Sequence, residues 1–149
     1  MSDESIRGHL RAALDAIVVR ESARLREAVG GVDVRVAGRI RAMRPLVESL
    51  RMLSEETGSV GGLRIDAPAE GERAWIEMVE TAGSRHTLSI STDAENRRFE
   101  VEECQYFPLS GDRASYMHCF DTAEEVLRFV LEMLGLHIAS RQALAGKPA

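Results

Sequence analysis

Aromatic residues are scarce in this chain, with one Trp, two Tyr and four Phe among 149 residues. Sugar and single-stranded nucleic-acid sites rely on aromatic stacking platforms, so none is expected here. Trp75, Tyr106 and Phe107 could form one small patch, but packing at the rim of a core suits them better. Cysteine is scarcer still, with only Cys104 and Cys119. No Cys-x2-Cys pair and no two His four apart occur, so the usual zinc spacings are missing. Two isolated thiols suit a reducing compartment. No Gly-x-Ser-x-Gly elbow is present. The glycine-rich "GSVGG" at 58–62 lacks the lysine of a phosphate loop and reads as a connector. Nothing in these patterns asks for a metal or cofactor, and none is expected.

Long apolar runs are also absent. The nearest, "VLRFVLEMLGLHIA", is interrupted by Arg128, Glu132 and His137. "MSDESIRGHL" lacks the basic start and apolar core of a secretory leader. A cytoplasmic protein away from the membrane is the expectation. The length fits one domain over 1–149, large enough to bury a core without disulfides or metal.

Charge is uneven. Residues 1–53 carry ten Arg against seven Asp or Glu, while 54–149 carry nine Lys or Arg against 17 acids. Arg35, Arg39, Arg41, Arg44 and Arg51 are the candidates for a nucleic-acid surface. The overall charge of −5 opposes approach to phosphates, so that use is not expected. The 18-to-one ratio of Arg to Lys reads as codon bias.

Periodicity predicts an α+β fold. Residues 1–57 read as a helical segment, 60–120 as an antiparallel sheet, and 121–144 as a C-terminal helix. Ile6, Leu10, Leu14, Ile17, Val18, Leu25 and Val29 recur at helical spacing from Asp3. Gly30-Gly31 looks like a stop. "VDVRVAG" alternates like a strand, yet Asp33 could equally cap a second helix. The helix is preferred because Val36, Ile40, Met43, Val47 and Leu50 follow at steps of four and three. Pro45 should kink or break it. These five residues are surplus apolar surface and the candidates for a homodimer or protein-partner interface.

About five strands follow, in "VGGLRID", "RAWIEMVE", "RHTLSIST", "RRFEVEECQYF" and "ASYMHCF". A four-residue "DAEN" loop would place Thr92 opposite Arg97, Ile90 opposite Phe99, Leu88 opposite Val101 and His86 opposite Glu103. Thr87, Ser89, Ser91, Arg98, Glu100 and Glu102 then share the polar face. Asp121 or Thr122 caps the last helix, whose apolar stripe is Val126, Leu127, Val130, Leu131, Leu134 and Ile138. The tail "AGKPA" is expected to fray.

His118 beside Cys119 raises the question of reactive chemistry. Strand neighbours point to opposite faces, so the two cannot share a pocket. Cys119 and Met117 are expected in the core, although a thiol just before a helix start could be activated if exposed. His86, Glu103 and His118 can meet only if their strands are neighbours in that order. They are the candidates for a metal or acid–base site. Glu100 and Glu102, with Glu77 and Glu80 near, are expected to be a solvated acidic face. The leading expectation is a non-enzymatic binding, adaptor or chaperone-like homodimer. The alternatives are an enzyme using the His–Glu–His set and an Arg-dependent nucleic-acid binder.

Overall fold

The computed structural model describes residues 2–145, with the side chains of residues 32 and 33 outside the description. Four of the five tail residues expected to fray lie outside the described residues. The elements run α1 (Asp3–Glu56), β1 (Leu63–Asp66), β2 (Ala74–Val79), β3 (Arg85–Thr92), β4 (Phe99–Phe107), β5 (Asp112–Phe120) and α2 (Ala123–Ala145). The predicted helix–sheet–helix order and α+β class are observed. No helix among the described residues is long and apolar enough to cross a membrane.

α1 runs unbroken through Gly30-Gly31, which corrects the expected stop, and through Pro45, where a kink or a break was expected and the helix does not break. A glycine costs only ~1 kcal/mol against alanine in a helix, and proline ~3. Around Pro45 that cost is met by burial of Met43, Leu46, Val47 and Leu50, each contributing ~1.5–3 kcal/mol when removed from water. "VDVRVAG" is therefore helix interior, with no start at Asp33. Contacts divide the chain inside α1, into Met1–Ala37 and Gly38–Ala149.

Within the second unit the sheet is a meander of order β1-β2-β3-β4-β5, with every pairing antiparallel. Its inner face carries Ile76, Met78, Leu88, Ile90 and Val101. Residues 43–50 of α1 and Val126, Val130 and Leu134 of α2 complete the buried core. Three of the five residues expected at a dimer interface, Met43, Val47 and Leu50, are thus buried in the chain's own core. Val36 and Ile40 are half-buried. The helical pattern correctly marks a face that must be covered, but the cover is the chain's own sheet.

The β3–β4 register differs by two residues from the expected one. Thr92 pairs with Phe99, Ile90 with Val101, Leu88 with Glu103 and His86 with Gln105. The turn spans 93–98 and not "DAEN". Asp93 N–H donates to the Arg98 carbonyl at 3.0 Å, Arg97 N–H donates to Asp93 Oδ1 at 2.9 Å, and Asn96 takes φ 57°. A slip of two leaves every side chain on its predicted face, because strand alternation has period two.

α2 starts with a capping exchange. Glu125 N–H donates to Thr122 Oγ1 at 3.2 Å, and Asp121 N–H donates to Glu125 Oε2 at 3.2 Å, which satisfies donors left free at a helix start. Leu131, expected on the apolar stripe, is exposed, and His137 is buried instead.

Replacing Leu50 by Ala is expected to lower unfolding free energy by about 2–5 kcal/mol, through lost burial and a residual cavity. Leu10→Ala, on an exposed side chain, should cost the monomer less than about 0.5 kcal/mol. Urea unfolding at low protein concentration checks both.

Candidate functional site

Besides Thr92 at the end of β3, the inner sheet face carries a buried polar residue, Glu103, among its apolar side chains. Glu103 lies at the middle of β4, paired with Leu88 on one side and Tyr116 on the other. His86 is two rungs along in one direction, opposite Gln105. His118 is two rungs along in the other, opposite Val101. Diagonal neighbours on one sheet face lie within reach of long side chains. The two rings therefore converge on Glu103 from opposite diagonals. His86 Nε2 is 3.7 Å from Glu103 Oε2, and His118 Nε2 is 3.5 Å from the same oxygen. The predicted trio does meet, although His86 and Glu103 are diagonal and not directly opposed.

All three facing atoms are buried and have no hydrogen-bond partner. The separations exceed hydrogen-bond length, so each contact is electrostatic. Oε2 of Glu103 faces Nε2 of both rings. Both rings address one oxygen and do not surround a common vacant centre. Among the described residues, no group of three or more His, Cys, Asp or Glu side chains is arranged to hold a metal ion.

The two histidines have different surroundings. His118 packs beside Phe129, with ring centroids 4.7 Å apart, and Phe120 at 6.4 Å, yet its side chain is 34% exposed against 18% for His86. His86 instead lines a cavity of about 420 Å³ with Glu80, Gln105, Met133, His137 and Ser140. Of the three, His86 alone lines that cavity, and Glu103 stands behind it as an orienting carboxylate.

The remaining candidates lie elsewhere. Met117 and Cys119, expected in the core, are exposed on the outer face. It is the His118 and Phe120 side of β5 that turns inward. Cys119 sits opposite Glu100, and Cys104 opposite Ser115, so the two thiols are four residues apart along their strands. Glu102 belongs to this solvated face, where its Oε1 accepts from Ser115 Oγ at 3.4 Å. Trp75 is exposed in the rung of Ser89 and Glu102, whereas Tyr106 lies four residues further along β4 beneath Arg113. The Trp75–Tyr106–Phe107 patch is therefore not assembled on one rung. Arg39 is paired with Glu72 at 3.2 Å and Arg44 with Glu70 at 3.9 Å, while Arg35, Arg41 and Arg51 are exposed.

Sequence reasoning missed His137 and Arg141. His137 Nε2 lies 3.2 Å from the Gly61 carbonyl, and Arg141 Nη1 donates to the Val79 carbonyl at 2.9 Å. The signal was present in the spacing 126, 130, 134, 137, 141, which continues the buried stripe of α2 with polar residues.

The chain matches no protein-family model, no curated protein and no solved structure.

Removing Glu103 alone takes the facing oxygen away from two buried imidazole nitrogens. Glu103→Ala should therefore destabilise by about 1–3 kcal/mol, and His86→Ala, which leaves Glu103 facing His118, by less. Chemical denaturation of both variants checks the order. Equal costs would mean that Glu103 serves only His86.

Proposed function

We propose that the protein is a non-enzymatic protein-binding or adaptor module that acts as a homodimer through residues 6–34 of α1. One observation carries this reading. Ile6, Leu10, Leu14, Ile17, Val18, Val19, Leu25, Val29 and Val34 are all 45–73% exposed. Seven of them, Ile6, Leu10, Leu14, Ile17, Val18, Leu25 and Val29, recur at helical spacing and share one side of α1, and an exposed apolar stripe of this kind marks an interaction site.

The occupant that suits this surface is a second copy of the chain. Leu14, Leu25, Val36 and Val47 fall at eleven-residue intervals, as do Val18, Val29 and Ile40. An eleven-residue repeat keeps apolar positions on one side of a helix, as in helix-on-helix packing. Charge also favours self-association over a polyanion. Residues 1–37 hold six Arg and six Asp or Glu, a net of zero, so the whole −5 lies in the remainder. Two such segments approach without net repulsion, and their mixed signs allow pairing across the contact. The homodimer expected at 36–50 is thereby moved to the preceding stretch. A reducing, cytoplasmic setting fits the two free thiols.

An acid–base enzyme is the second reading, favoured by His86 opening onto a cavity with Glu103 behind it. The nucleic-acid reading loses support, because Arg39 and Arg44 already have carboxylate partners.

Sedimentation equilibrium tests the proposal. The wild-type chain should sediment as a dimer. The double variant Leu14→Glu, Leu25→Glu should sediment as a monomer with unchanged sheet signal by circular dichroism. A wild-type monomer at every concentration, or a dimer that survives both charges, would sink it.

A further inference from the structure

The loop that joins α1 to β1 contains the glycine-rich "GSVGG" that looks like a plain connector in sequence. In the structure it is held from one side. His137 and Arg141 lie one turn apart on α2, so they share a face. His137, only 5% exposed, lies against the Gly61 carbonyl. Arg141 rests on the next peptides. A Cβ on Gly61 would fall 2.9 Å from Arg141 Nη2, and one on Gly62 would fall 2.7 Å from Nη1. Gly62 also has φ +69°, where a side chain is strained. The guanidinium therefore lies close against the Gly61–Gly62 backbone.

That guanidinium has no ion pair among the described residues, where every arginine pair involves a different side chain. Its contact with the Val79 carbonyl uses one N–H of the five that arginine carries. The group lines a cavity of about 560 Å³, within the size range of small-molecule sites. Val60, Ile138 and Leu144 supply apolar wall, and Ser59, Thr81 and Gln142 supply polar groups that can donate. A fixed, planar, positively charged fork beside such a wall matches a planar or tetrahedral anion attached to an apolar body.

We propose that this cavity binds a small organic anion, a carboxylate or phosphate monoester, with its charged end on Arg141 and its apolar part along Ile138 and Leu144. The site is independent of the α1 surface. Its Arg is oriented before ligand arrives, which lowers the ordering cost of binding. Glu80 lines the neighbouring cavity with His86, so the two cavities have opposite charge preferences.

The test is isothermal titration of the full chain with octanoate and with octyl phosphate. Inorganic phosphate supplies the head alone, and octanol the tail alone. Either octyl anion should bind, and both fragments should bind at least about tenfold more weakly, since a charged hydrogen bond and apolar burial each contribute that much. Which anion binds decides between carboxylate and phosphate. Arg141→Gln and Leu144→Glu should each weaken binding about tenfold or more. Leu144 is 48% exposed, so the second variant keeps the test valid if Arg141→Gln disturbs the loop. Unchanged thermal unfolding of Leu144→Glu confirms that its fold is intact. Failure of both anions to bind the wild type, equal binding of octanol, or unchanged affinity in Leu144→Glu would each overturn the proposal.

Discussion

One sheet face has to be covered, and the remaining features follow from how far that cover extends. The meander turns Ile76, Met78, Leu88, Ile90 and Val101 to one side, and an exposed face of that composition would be insoluble. Two helices supply the cover. Strands of nine residues are ~30 Å long, and a helix needs only ~20 residues to span that distance. α1 has 54 residues. That is more than the span requires, and the apolar rhythm of its C-terminal part runs back through residues 6–34, whose large apolar side chains are exposed. The homodimer proposal rests on that mismatch of lengths.

The polar features lie on or beside the covered face. Glu103 and its two histidines interrupt the apolar face between β3 and β5, where Phe129 packs beside one ring and the other lines a cavity. Buried polar groups without hydrogen bonds are costly, so three of them in one cluster form a site with a stated expense. Arg141 and His137 occupy the C-terminal part of α2, beyond the apolar stripe that ends at Leu134. They fasten the connector that returns the chain from α1 to the first strand.

Some of this was legible in sequence for a physical reason. Strand alternation has period two, so the faces of Leu88, Ile90, Val101, His86 and Glu103 could be read without the structure. The same period hides a two-residue slip, and so the register was missed while the trio was not. Helical spacing marked Met43, Val47 and Leu50 for burial, but periodicity cannot say whether the covering surface belongs to the same chain. Gly30-Gly31 and Pro45 are local signals, and packing on either side of Pro45 outweighs one lost hydrogen bond. On β5 both alternating sets are partly apolar, so Met117 and Cys119 could not be separated from His118 and Phe120 by pattern. Arg141 carried no motif; only the closeness of two glycines to its guanidinium gives it meaning.

Hydrogen exchange read residue by residue at several protein concentrations tests the central claim most directly. A single helix in water opens readily, whereas a helix packed against a second copy opens only with dissociation. The account predicts that amides at 10–30 become more protected as concentration rises, while those of β3 and β4 change little. Protection at 10–30 that is equally weak at every concentration, or equally strong at high dilution, would contradict it.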